Sequence, residues 1–349
     1  MPSASRRSGA AASRRSRSTG RVTLADVASA AEVSPITASR ALHGRRAVDP
    51  ALVARVRAAA RRLGYVPDPA ARALASRHGT QVAILVPMLT NTLFVDLLEA
   101  AQGTLRRAGY QALIGVTHYD PSQEEQLLRE QLAHRLAGLL VTGLDRTEAV
   151  RDLIAQSGVP CVHVMETSTE PGVYSVGFSQ RDAGAAMTRH LLERGRRRIA
   201  FAAAQLDPRT MQRMQGWREA LARAGLHDAR LEWLNPAPSS IALGARMFEQ
   251  IAAQAPPVDA IFCCNDDLAQ GALLAAARSH IAVPARIAIA GFNDLPGSDQ
   301  MLPPLTTVRT PRAQIGSEAA KMLLALVRGE PVSRASIDLG YELVVREST

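Results

Sequence analysis

From residue 81 onward, strand-length apolar runs alternate with amphipathic stretches of helical length. No other feature of the chain constrains its fold as strongly. The apolar runs are residues 82–87, 112–116, 138–142, 160–165, 198–203, 258–264 and 286–291, and a last one is expected at 341–345. Between them lie helical patterns at 92–108, 123–134, 181–193, 211–224, 239–254 and 268–279. Near-continuous aliphatic strands, each followed by a helix, predict parallel sheets covered on both faces. A body of about 270 residues in this pattern outgrows a single core, so two lobes are expected. No short-period solenoid repeat is visible.

The first eighty residues follow a different grammar. Thr23-Leu24-Ala25-Asp26 has the form of a capping box, and Leu24, Val27 and Ala28 then recur at helical spacing. Ser34-Pro35 and Asp49-Pro50 each combine an N-cap residue with a proline suited to the first helical position. The third helix carries an apolar stripe of Leu52, Val53, Val56, Ala60 and Leu63 and stops at Gly64. Asp68-Pro69 opens a fourth segment, too short to be a stable helix without a partner. The first and second helices with the tight turn at 30–33 read as a helix-turn-helix, whose second helix would enter a major groove. That helix offers Pro35, Ile36, Ser39 and Arg40. Arg40 is its only long donor, suited to guanine O6 and N7. Thr23, Ser34, Thr37 and Arg45 stand at helix starts and turns, where phosphates are held.

Charge supports the same reading. Of the net +9, residues 1–78 carry +11, from fifteen arginines against four acids, which leaves −2 on the remainder. A basic head on a near-neutral body points to a polyanionic partner. Residues 1–20, rich in arginine and serine, are expected to be disordered; they are either a solvated tail or a non-specific contact with DNA phosphates.

Several classes are excluded. Hydrophobic residues at 47% and charged residues at 21% make a globular composition, and no apolar run approaches the ~18 residues of a membrane span. Three cysteines, two of them the adjacent Cys263 and Cys264, give neither a disulfide framework nor a zinc ribbon. With no apolar h-region in the first twenty residues, a reducing, cytoplasmic setting is expected. There is no P-loop, G-x-S-x-G, H-E-x-x-H or post-strand G-x-G-x-x-G, so neither an enzyme nor a bound cofactor is expected. Asp266, Asp267 and Asp294 are loose carboxylates without a nucleophile or a metal-ligating cluster beside them.

Residues 22–28 (Val-Thr-Leu-Ala-Asp-Val-Ala), Val33-Ser34, Ser39-Arg40-Ala41-Leu42, Gly64-Tyr65-Val66-Pro67 and Ala71-Arg72-Ala73-Leu74-Ala75 resemble the head and hinge of the LacI family of bacterial transcriptional regulators. The similarity extends over 21–349. Thr117-His118-Tyr119, residues 206–210 (Leu-Asp-Pro-Arg-Thr), Asn265-Asp266-Asp267 and residues 291–295 (Gly-Phe-Asn-Asp-Leu) resemble the family's gluconate-operon repressor branch. The resemblance implies a tail at 1–20, a helix-turn-helix domain at 21–66, a hinge helix and linker at 67–79, and an effector-binding, dimerising body at 80–349. The expected fold is therefore an all-α head and hinge helix followed by a two-lobed, periplasmic-binding-protein-like α/β body. In such a protein the paired hinge helices push Leu74 into the minor groove, where an apolar wedge kinks DNA. The sequence departs from the pattern at Ala75, where family members often carry a basic residue.

The resemblance also locates an effector site. Arg213 matches an effector-gripping arginine and Asp266 a hydroxyl-binding aspartate. Asn91, Phe94 and Asn293 fall in loops and helix starts after strands, where family contacts cluster. Arg209 is a second arginine, and two arginines suit a carboxylate, hence a sugar acid over a neutral sugar. His118, at a strand end, is a further candidate. Asp267 reads as a helix N-cap, Cys263 and Cys264 as buried small hydrophobes, and Trp217 as core. The expected whole is a homodimer on near-palindromic double-stranded operator DNA, released by a sugar or sugar-acid effector. A corepressor mode would use the same parts, and a sugar-binding protein without DNA function is the alternative.

Overall fold

In the computed structural model, residues 22–43, 48–66, 79–89, 92–254 and 256–349 are described. They fall into two compact units, one within residues 1–77 and one within 78–349.

The first unit is a three-helix cluster. Helix α1 (Leu24–Ala30) begins with a complete capping box: Asp26 N–H donates to Thr23 Oγ1, and Thr23 N–H donates to the Asp26 carboxylate. Helix α2 (Pro35–His43) starts where Thr37 N–H donates to Ser34 Oγ at 3.1 Å. Helix α3 (Pro50–Leu63) is capped by Asp49 and ends at Gly64, whose φ of +65° suits glycine. Val27, Ala28, Ala31, Ala38, Ala41, Val56, Ala59 and Ala60 form the core. Most are alanines, so the three helices approach closely.

The second unit has two lobes. In the N-lobe, β1 (Gln81–Val86), β2 (Gln111–Val116), β3 (Gly138–Thr142), β4 (Cys161–Val164), β5 (Tyr174–Gly177) and β11 (Ser336–Asp338) form one parallel sheet in the order β11-β5-β4-β3-β1-β2. Alternate residues of β1 serve two cores. Val82, Ile84 and Val86 meet the side of α4 (Leu93–Arg107) and α11 (Arg312–Arg328), which pack together. Ala83 and Leu85 join a separate cluster on the opposite face, with α5 (Pro121–Leu132) and α6 (Glu148–Ser157). The C-lobe sheet is also parallel, in the order β7-β6-β8-β9, built from β6 (Ile199–Ala204), β7 (Glu232–Asn235), β8 (Ala260–Cys263) and β9 (Ala288–Ala290). Helices α7 (Gln180–Glu193) and α8 (Pro208–Arg223) pack as one pair, α9 (Ile241–Ala252) and α10 (Asp266–Arg278) as another. The chain crosses between lobes three times: from β5 to α7, from β10 (Thr307–Arg309) to α11, and from β11 to β12 (Glu342–Val344).

Three details differ from the expectation. β10 and β12 form an antiparallel ribbon outside both parallel sheets, and the strand expected at 341–345 is only the three residues of β12. Helix α8 begins at Pro208, not 211, because Asp207 caps it, and this puts Arg209 in its first turn. The helices α6 and α11 and the strands β5, β7, β10 and β11 were not among the patterns singled out. Among the described residues, no helix is long and apolar enough to cross a membrane.

Candidate functional site

A cleft opens at the C-terminal ends of β1, β2, β6, β8 and β9. This is where parallel α/β sheets present ligand-binding loops. Its C-lobe wall includes Arg209, Arg213, Asn265, Asp267 and Asn293; its N-lobe wall is Met88, Leu93 and Tyr119. Past Tyr119 and Arg209 the space continues into a second chamber beside α5, where Glu124 and Arg146 face each other at 3.1 Å.

Helix α8 positions both arginines. Asp207 accepts from Arg209 N–H and from Thr210 Oγ1, which fixes the first turn. Arg209 is buried, 3.2 Å from Asp207 and 3.9 Å from Glu166, with its guanidinium over the Tyr119 ring. Burial opposes its charge, but Asp207, Tyr119 and Glu166 outweigh burial and hold its pKa above the ordinary value. Arg213, one turn on, is equally buried. Its Nε donates to Gln180 at 2.8 Å, Nη1 donates to the Cys264 carbonyl at 2.6 Å, and its plane lies 3.9 Å from the centre of the Phe292 ring. Among the described residues no carboxylate pairs with Arg213, and burial pushes its pKa down. It is thus a desolvated cation, held by neutral groups, at the wall of a cleft. Such a charge is a favourable place for an anion.

The cleft also holds free acceptors. Asn293 is buried and its Oδ1 has no hydrogen-bond partner among the described residues. Its φ of +112° is unusual for a residue with a side chain. Asp267 is half-buried, and burial alone pushes its carboxyl pKa up.

Of the effector candidates, Arg209, Arg213 and Asn293 come together at this cleft. Asp266 does not. It is fully buried; Thr307 Oγ1 and Leu295 N–H each donate to its carboxylate at 2.6 Å, and burial pushes its pKa up to about 6. It clamps the loop after β9 to β10, and it is its neighbour Asp267 that lines the cleft. The helix cap assigned to Asp267 is made instead by Asn265, which accepts from Leu268 N–H. Phe94 is core, and Leu93 faces the cleft in its place. His118 is exposed and outside the lining, while Tyr119 lies within it. Both have positive φ, so the alternation of a strand does not carry through this turn. Asn91 lies outside the described residues. Glu166 was not singled out. It is buried, accepts from Gln212 Nε2 at 2.6 Å and from Leu144 N–H, and burial pushes its pKa up. A lone glutamate after a strand gave no signal, since its side-chain partners Arg209 and Gln212 lie more than forty residues further along.

In the head, Pro35, Ile36 and Arg40 are exposed on α2, with Ile36 at 64%, and Ser39 and Thr37 are half-buried. Thr23 and Ser34 are exposed at helix starts, where Thr23 also donates to Asp26 and Ser34 meets Thr37 at 2.8 Å. Arg45 and Leu74 lie outside the described residues, as do the tail and most of the linker.

Residues 23–68 match the bacterial regulatory proteins of the lacI family, and 188–349 match a periplasmic binding protein-like domain. The chain is 54% identical over 333 residues to the HTH-type transcriptional regulator GntR of Pseudomonas aeruginosa, covering 95% of this chain and 97% of that one. The crystal structure of transcription regulator GntR from Chromobacterium violaceum is 51% identical, with a TM-score of 0.75 over 77% of this chain and 98% of that one. The lac repressor dimer bound to operator and the anti-inducer ONPF is 25% identical, with a TM-score of 0.83 over 94% and 99% of the two chains. The chain therefore belongs to the LacI family and is a DNA-binding transcriptional regulator, not an enzyme.

Proposed function

We propose that this regulator acts in the cytoplasm as a homodimer on near-palindromic operator DNA and is released by a sugar acid of the gluconate type. The boundaries carried forward are a head at 21–66, a hinge at 67–79 and a body at 80–349. The observation that carries the effector class is Arg213, a buried guanidinium facing the cleft with no carboxylate partner among the described residues. A carboxylate supplies the missing charge. Asp267 and Asn293 then accept from hydroxyl groups, and the apolar Met88 and Leu93 cover the carbon chain. Arg209 is already paired with Asp207 and Glu166, so the carboxylate docks chiefly on Arg213 rather than bridging both arginines.

On the DNA side, Arg40 reads guanine and the exposed Ile36 meets a thymine methyl group. Pro35 and Ser39 line the same face. Thr23, Ser34, Thr37 and Arg45 hold phosphates, and Leu74 wedges the minor groove. The relative bound to operator and anti-inducer supports an effector-linked DNA switch of this kind. The test is fluorescence anisotropy on DNA from the protein's own upstream region, with and without gluconate. Specific binding that weakens with gluconate is expected. Binding that tightens makes the ligand a corepressor. Binding indifferent to every sugar acid overturns the effector class.

A further inference from the structure

We infer that Arg312 is a positioning residue of the effector cleft, holding Asn293 in place and tying its loop to helix α4 of the opposite lobe. The inference rests on the reading above that the effector occupies this cleft.

Arg312 is the first residue of α11, directly after the crossing from the C-lobe to the N-lobe. Its side chain is 11% exposed. One arm of the guanidinium, Nη1, donates to the Asn293 carbonyl. The other side of the fork reaches a carboxylate: Nε and Nη2 lie 3.0 and 2.9 Å from Asp96 Oδ2, in the first turn of α4. Lysine, with a single point charge, does not serve two partners in these two directions.

Asn293 needs such a hold. Its backbone sits in the left-handed region at φ +112°, and its N–H donates to Val308 at 2.8 Å. A residue with a side chain keeps this conformation only where its surroundings fix it. Arg312 supplies the grip on the carbonyl side, and this leaves Asn293 Oδ1 buried, unpartnered and at the cleft wall. Asp96 stands one turn beyond Leu93 in α4, and Leu93 lines the opposite wall. Any shift of α4 against the C-lobe therefore acts on the Asn293 loop through one side chain.

The test uses Asp96→Asn, Arg312→Lys and Arg312→Gln in the full chain, with Arg213→Gln as the cleft control. Hydrogen exchange is followed over residues 291–296, gluconate affinity by calorimetry and folding by thermal unfolding. Asp96 is not among the residues that line the cleft. Even so, Asp96→Asn is expected to speed exchange over 291–296 and to weaken gluconate binding by roughly 3- to 10-fold, with Tm little changed. Arg312→Gln is expected to exceed it, and Arg312→Lys to fall between. If Arg213→Gln abolishes gluconate binding while Asp96→Asn leaves affinity and exchange as in the wild type, the role of Arg312 is overturned and the effector reading stands. If the wild type binds no sugar acid, the effector reading fails. Exchange over 291–296 in Asp96→Asn then decides Arg312 alone: faster exchange upholds the tie, and unchanged exchange removes it.

Discussion

The two walls of the cleft are built from the same strand-then-helix units, yet the C-lobe wall is polar and the N-lobe wall largely apolar. In the C-lobe, β6 and β8 run almost directly into helices capped by Asp207 and Asn265. Short connections of this kind converge polar helix starts, Arg209 and Asp267 among them, on one point. In the N-lobe, β1 leads to Met88 and Leu93, and the first turn of α4 has no side-chain cap at Thr92. The difference teaches a division of labour: the C-lobe recognises the effector, and the N-lobe covers it.

The largest test of this division is Arg213→Gln. Removing the unpaired buried cation is expected to lower gluconate affinity by roughly 100-fold, about 3 kcal/mol, with operator affinity in the absence of effector unchanged. Calorimetry and anisotropy read the two quantities separately. A loss no larger than that of an N-lobe variant breaks the comparison.

The lobes also differ in how they titrate. In the N-lobe, burial and the neighbouring Arg146 push the His163 pKa from 6.5 down to about 4. The stability this group contributes is whole above pH 6.5 and is lost as pH falls toward 4. In the C-lobe, burial pushes Asp266 from 3.8 up to about 6. Its contribution is whole below pH 3.8 and is lost as pH rises through 6. At about 1.4 kcal/mol per decade of pKa displacement, each amounts to about 3 kcal/mol. Urea denaturation between pH 4 and 6.5 is therefore expected to give opposite slopes. The stability difference between wild type and His163→Gln grows with pH, and that between wild type and Asp266→Asn shrinks. Parallel slopes contradict the assignment.

How far the site was legible follows from these residues. The strand-helix alternation carried the two parallel sheets, because aliphatic β-branched runs have little else to do. Arg213 was legible only through the family resemblance, and Arg209 as a second arginine near it; the cap at Asp207 that starts the helix at Pro208 was not read. Asp266 and Asp267 were exchanged because one residue at a helix start turns the side chain by about 100°. The motif fixed the neighbourhood without fixing which carboxylate faces the cleft. Of the antiparallel ribbon, the β12 run was legible but its pairing was not: its partner β10 is three residues long and carries too little periodicity to read.

With that exchange resolved, Asp267→Asn becomes the next test. The amide keeps the size of the side chain and one acceptor, but loses the charge that strengthens a bond from a hydroxyl. A loss of gluconate affinity of roughly 10-fold is expected, with little change in thermal stability, because the side chain caps no helix. The same substitution at Asp266 is expected to act on stability and its pH dependence, since that carboxylate holds Thr307 and Leu295.

The smallest effect tests the apolar wall. Met88 is half-buried at the cleft, and Met88→Ala removes covering surface without removing a polar partner. Losing part of one flexible apolar side chain from a cover is worth about 1 kcal/mol, so gluconate binding is expected to weaken by roughly 3- to 5-fold. The informative quantity is the ratio between sugar acids. If the C-lobe alone sets recognition, Met88→Ala weakens gluconate and its C2 or C3 epimers by the same factor, because the apolar wall does not distinguish hydroxyl configuration. Arg213→Gln instead narrows the gap between each acid and its neutral sugar alcohol, because it removes the group that distinguishes them. An epimer-dependent effect of Met88→Ala would give the N-lobe a part in selectivity and end the division of labour between the walls.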